Sequence, residues 1–186
     1  MKSFLRDTLT TVVLAAVIFF GLQFTVQHSV VISPSMVPSL QVNQHLIINK
    51  VAYRFHEPER GDVIVFHPAN GQKGDYIKRI IGLPGESVKI KDGVVYIHQP
   101  DGKVVPLEEP YIAYRAERPF EGDVIPENEY FVLGDNRNNS DDSRSGWTLP
   151  RQNIVGKSWL TIWPRDRWGL APNYPLQEQI DSLTSK

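Results

Sequence analysis

No cysteine occurs anywhere in the 186 residues. Thiol nucleophiles, cysteine-ligated zinc and disulfides are therefore excluded together, and packing and polar contacts alone must hold the fold. HExxH is missing as well, and the histidines (His28, His45, His56, His67 and His98) never fall at a metal-helix spacing. No metal and no cofactor is expected. The chain also lacks an excess of charge: 20 Lys and Arg stand against 21 Asp and Glu, a net charge of −1, with no basic stripe. Nothing in that balance would draw it onto nucleic acid. Two familiar serine-hydrolase signatures, the G-x-S-x-G elbow and Ser-x-x-Lys, are absent too.

Long apolar runs are scarce, and the single one present stands at the N-terminus. Leu9 to Val26 (LTTVVLAAVIFFGLQFTV) carries no charge. At about 1.5 Å per residue a helix of that length crosses most of a ~30 Å hydrocarbon layer. Its polar residues, Thr10, Thr11, Gln23 and Thr25, lie near the ends. A core helix would show a polar face, and a cleaved signal peptide would show a small-residue site where Gln27 and His28 stand. The run reads instead as an uncleaved anchor. Lys2, Arg6 and the terminal amine precede it, so the positive-inside tendency leaves residues 1–8 cytoplasmic, 9–26 in the bilayer and 27–186 outside. The membrane expected is the cell membrane, with an internal one such as a thylakoid equally compatible.

The remainder breaks into short β-rich runs separated by turn residues. Strands are expected over 45–53, 62–66, 76–81, 87–91, 94–98, 103–106, 130–133 and 159–163. Asp92-Gly93 between two alternating runs signals a two-residue hairpin. Residues 115–123 read as an exposed loop, and 177–182 as a short helix. With 41% hydrophobic and 22% charged residues, the chain is neither disordered nor polytopic. The fold class is mainly β: an antiparallel catalytic domain after one transmembrane helix.

Three segments could carry chemistry. In Ser33-Pro34-Ser35-Met36-Val37-Pro38, the prolines hold Ser35 in a stiff, non-helical stretch just past the anchor; alone, it reads equally as a hinge. A serine hydroxyl needs a base, and a lysine can serve if burial lowers its pKa from about 10.4 toward 7–8. Lys78 lies in Tyr76-Ile77-Lys78-Arg79-Ile80-Ile81, where alternation puts Tyr76, Lys78 and Ile80 on one face; without context, it is an ordinary strand-surface lysine. The third segment, Gly134 to Arg144, is dense in Asn, Asp and Ser, as in a solvated loop or a calcium loop lacking the closing Glu.

In this order, and with the intervening RGDVIVF run at 60–66, these segments strongly resemble bacterial type I signal peptidases. The matching pieces are Ser35-Met36-x-Pro38, Tyr76-Ile77-Lys78-Arg79 with Gly82-x-Pro84-Gly85, and GDNR-x-NS-x-DSR from Gly134 to Arg144. Two positions depart from the family pattern: Pro34, where Gly is frequent, and Ser39, where Thr is frequent. The resemblance implies a membrane-bound endopeptidase acting on exported preproteins, cutting after small residues at −1 and −3. It makes Ser35 the nucleophile and Lys78 the general base. The Ser33 hydroxyl joins the Ser35 N–H at the oxyanion, and Ser140 orients the lysine. Asp142 and Arg144 form a supporting ion pair, while Met36, Leu40 and Tyr76 wall the substrate pocket. The implied partners are signal-peptide-bearing preproteins and the lipid bilayer, which Trp159, Trp163 and Trp168 would touch at its interface. Two other readings stand beside this one. Self-cleaving repressors of related β fold also use a serine–lysine pair, but carry a DNA-binding domain in place of an anchor. An anchored β domain that only binds partners is the non-enzymatic alternative.

Overall fold

The structure, a computed structural model, describes residues 2–68 and 74–184. Met1 of the expected cytoplasmic segment and residues 185–186 of the expected catalytic domain lie outside the described residues. The apolar run is one helix, α1 (Lys2–Thr25), seven residues longer at its start than the uncharged stretch. Arg6–Thr25 is long and apolar enough to cross a membrane, and none of its most apolar window is covered by the rest of the chain. Thr8, Thr10, Thr11 and Thr25 donate their hydroxyls to the carbonyls four residues back. The helix thus satisfies the hydroxyls of its four threonines internally, the bonding that suits a threonine away from water.

No loop follows. At Val26 the chain passes directly into β1 (Val26–Val30), which pairs antiparallel with β2 (His45–Asn49) from Val26↔Asn49 to Val30↔His45. This strand was not expected from the sequence: VQHSV adjoins the apolar run with no turn residue to mark the change. Lys50 N–H also donates to Thr25 O at 2.9 Å, fastening the helix end to the sheet.

Eight strands form the larger sheet. Its path runs β1–β2–β11–β3–β4–β9–β10, built from β3 (Val63–Phe66), β4 (Tyr76–Gly82), β9 (Glu129–Leu133), β10 (Leu149–Pro150) and β11 (Ile154–Trp163), with β12 (Gly169–Leu170) on β11. The smaller sheet has the order β7–β6–β5–β8, from β5 (Ser87–Lys91), β6 (Val94–His98), β7 (Val104–Pro106) and β8 (Phe120–Glu121). The mainly β expectation therefore stands. The β5–β6 hairpin turns at Asp92 and Gly93, both at positive φ (52° and 74°), as that dipeptide foretells.

Four departures from expectation exceed a single residue. The run expected over 45–53 ends at Asn49 and gives way to a 3-10 turn at Ala52–Arg54. The last strand is ten residues, not five, because Ile154–Ser158 pair across both β2 and β3. The expected loop at 115–123 contributes β8 to the edge of β5, with Phe120 packed on Phe131. The C-terminal helix, α2 (Leu176–Thr184), buries Leu176 and Ile180 in the core between the sheets. Arg79 of β4, completely buried, gives both ends of its guanidinium to Asp135 (2.9 and 2.7 Å) and lies over the Tyr111 ring at 4.1 Å.

Candidate active site

Ser35 occupies one 3-10 turn, Pro34–Met36, between extended Ser33 (φ −124°, ψ 153°) and Val37 (φ −67°, ψ 135°). The extended flanks follow from the prolines after them. The expectation of a wholly non-helical segment is corrected: Pro34 has the φ that suits a first helical position, so the chain makes a single tight turn there. Fully buried Met36 and Leu40 anchor this turn in a core with Leu46, Ile48, Val63 and Val65.

β4 supplies the partner. Hydrogen-bonded to β3 on one side and β9 on the other, it is a central strand with both faces covered. Lys78 is consequently only 4% exposed and Ser35 6%, so the surface-lysine reading does not hold. Lys78 Nζ lies 2.8 Å from Ser35 Oγ and 3.0 Å from the Ile77 carbonyl. Burial lowers the lysine pKa from 10.5 to about 8, against the opposing pull of Asp142, Asp141 and Asp135. Ser33 Oγ is 3.2 Å from Ser35 Oγ. At these distances a hydroxyl proton can pass to an uncharged amine within the protein's own packing.

The loop from Gly134 to Arg144 closes the site from behind. Asn136 donates its backbone N–H to Ser35 O (3.0 Å) and its side-chain amide to Pro34 O (3.1 Å). Asp142 takes a two-pronged bond from Arg144 (2.8 Å each) and caps Gly134 N–H at 3.1 Å. A Cβ on Gly134 would stand 2.2 Å from Ser140 Oγ and 2.5 Å from Ser35 O, so only glycine allows the loop to approach this closely. Ser140 Oγ is buried and has no hydrogen-bond partner among the described residues. The bond to Lys78 implied for it is not made; the amine instead bonds Ser35 and the Ile77 carbonyl.

A cavity of about 300 Å³ opens onto this pair. Its floor and walls are largely apolar, with Val31, Ile32, Leu46, Val65 and Ile77 prominent, while Tyr76, Lys78 and Ser140 mark its inner end. Of the three expected pocket walls, Tyr76 alone lines it. Met36 and Leu40 do not: at 0% and 1% exposure they belong to the core beneath the Ser35 turn, their apolar side chains spent on packing.

Over residues 4–163 the sequence matches the family described as signal peptidase, peptidase S26. The chain belongs to that family. A probable signal peptidase I-2 of Synechocystis sp. is 38% identical over 177 residues, 92% of this chain and 79% of that protein. Signal peptidase I of Leptolyngbya laminosa is 40% identical over 173 residues, covering 89% and 83%. Signal peptidase IB of Staphylococcus aureus is 34% identical over 184 residues, covering 88% and 92%. In this member of the signal peptidase family, sequence reasoning missed Asn136, the Arg79–Asp135 pair and the buried Arg137–Glu109 pair. An arginine between isoleucines in a central strand was the available signal for the first pair, since such a charge requires a partner. For Asn136 the signal was its place in the GDNR block, which gives no role for the side chain.

Proposed function

We propose that this protein is a membrane-bound endopeptidase that removes signal peptides from exported preproteins, with Ser35 as nucleophile and Lys78 as general base. The observation that carries this reading is a buried amine with a pKa near 8 at 2.8 Å from a serine hydroxyl, opening on an apolar cavity. Ser35 Oγ attacks the carbonyl carbon of the bond to be cut and its proton passes to Nζ. The oxyanion is met by the Ser35 backbone N–H, which at the start of a helical turn has no intrahelical acceptor, and by the Ser33 hydroxyl after rotation. The ammonium then protonates the leaving amine, and the freed amine activates the water that hydrolyses the acyl-enzyme. The newly formed ammonium carries three protons. Ser35 and the Ile77 carbonyl take two, and the unpaired Ser140 hydroxyl is the remaining acceptor near the cavity's inner end.

Residues 1–8 lie on the cytoplasmic side in this reading, 9–25 cross the bilayer and the chain from β1 onward faces outward; Val26, expected at the end of the span, is instead the first residue of β1. The exposed Trp159, Trp163 and Trp168, with Leu170, support contact of the β11–β12 edge with the lipid surface. The reading is tested by incubating the purified full chain in detergent with a preprotein and weighing the products. One cut after a small residue, releasing the signal peptide intact, is expected; no cut, or cuts scattered along the chain, would refute it.

The pH profile gives a second check. Only the uncharged amine accepts a proton, so kcat/KM should rise about tenfold per pH unit below about 8 and level off above it. A profile that is flat between pH 6 and 9 would remove Lys78 from the role of base.

A further inference from the structure

The cavity's lining is apolar with few exceptions, and the charged ones are unevenly distributed. Among the described residues, Asp75, Lys78 and Asp141 are the charged ones that line it. Lys78 is taken up with Ser35 at the inner end. Asp141 stands on the exposed loop and accepts from Ser145 Oγ at 2.9 Å. Asp75 stands immediately before β4 and is held by two side chains. Gln27 of β1 reaches across to one carboxylate oxygen (3.3 Å), and His67, just past β3, meets the other at 2.8 Å. A carboxylate gripped in this way keeps its position when a peptide enters, and no Lys or Arg is paired with it among the described residues.

An extended peptide advances about 3.3 Å per residue. Asp75 precedes Lys78 by three positions on the same extended chain, so it lies about 10 Å from the reacting centre. Asp75 is bonded to Gln27, two residues past the end of α1, so in the proposed reading its end of the cavity faces the side from which the signal peptide arrives; a peptide laid along β4 from that side, with its cut bond at Ser35, sets its residue −4 or −5 beside Asp75, one step beyond the small residue at −3. We propose that Asp75 is a specificity-determining residue that favours basic or hydrogen-bond-donating side chains at −4 and −5 of the preprotein and turns away acidic ones. The mechanism is like-charge exclusion in a partly desolvated cleft, where a substrate carboxylate brought against Asp75 meets no lysine or arginine beside it among the described residues. This inference rests on the proposed peptidase activity.

The test uses the full chain in detergent and one preprotein carrying Lys, Gln or Glu at −4 and −5, with the same exchange at +5 as control. The wild type is expected to cut the Lys form at least about tenfold faster in kcat/KM than the Glu form, with little difference at +5. In Asp75→Asn that ratio should fall to about twofold, while Asp141→Asn retains most of it. Equal cutting of the Lys and Glu forms by the wild type would overturn the proposal, as would an unchanged ratio in Asp75→Asn. A charge effect equal at +5 would do so too, since it reports the field of the whole surface. The Gln preprotein separates the two levels of the argument: if the wild type does not cut it, the peptidase reading itself fails.

Discussion

Ser35→Ala cuts preprotein at no more than about one-thousandth of the wild-type rate, and Lys78→Met does the same while gaining stability. The first half follows from chemistry: the variant has no oxygen to form the acyl-enzyme, or no base to take its proton. The second half follows from burial. With a folded pKa of about 8 against 10.5, the unfolded chain holds the lysine's proton more tightly. Below about pH 8 both states are protonated and the destabilisation is complete. It fades as pH rises from about 8 to 10.5 and is gone above that. The drop corresponds to at most about 3 kcal/mol. Some of it is returned by the bonds to Ser35 and the Ile77 carbonyl, so a gain of about 1–3 kcal/mol is expected at pH 7, shrinking toward pH 10. Denaturant titration at the two pH values measures it. A Lys78→Met protein that still processes preprotein, or that is less stable at pH 7, would contradict the assignment.

Asp135→Ala is expected to cost about 3–5 kcal/mol, the largest stability loss of any single change considered. It strands Arg79, which is completely buried and also donates to Gly61 O (2.8 Å) and Pro172 O (2.7 Å). A guanidinium cannot shed its proton to escape, so the uncompensated charge remains. Melting should fall by roughly 10 °C for a domain of this size. Replacing both partners, as Arg79→Met with Asp135→Leu, should restore part of the loss because no charge is then left unpaired. Activity should fall along with stability in the single variant. Arg79 follows the lysine and Asp135 precedes Asn136, which holds the nucleophile's turn, so the pair ties the two halves of the site together. A loss below about 1 kcal/mol would mean that water reaches this pair.

Much of the fold was legible because it depends on patterns of short range. β5 and β6 fall where alternation and Asp92-Gly93 put them, and β3, β4 and β9 differ from expectation by a residue at one end. What escaped depended on distant partners. β1 and β8 are strands because β2 and β5 offer them an edge, not because of their own composition. The same holds within the site. Lys78 could be singled out from its family-like surroundings, but its burial comes from tertiary neighbours, β3 and β9 beside its strand and the Ser35 turn 43 residues back. The family resemblance makes Met36 and Leu40 pocket walls. Both are instead buried in the core beneath the Ser35 turn, and residues from β1, β2, β3 and β4 line the cavity in their place.

The direct passage of α1 into β1 has a mechanical outcome. With no slack between them, a tilt or a sinking of the helix carries the first strand, and every residue zipped to it, through the same displacement. In the proposed membrane-anchored reading, the height of Ser35 above the lipid is thereby set by the length of α1 rather than by a leash, much as the reach of a lathe tool is fixed by its mount.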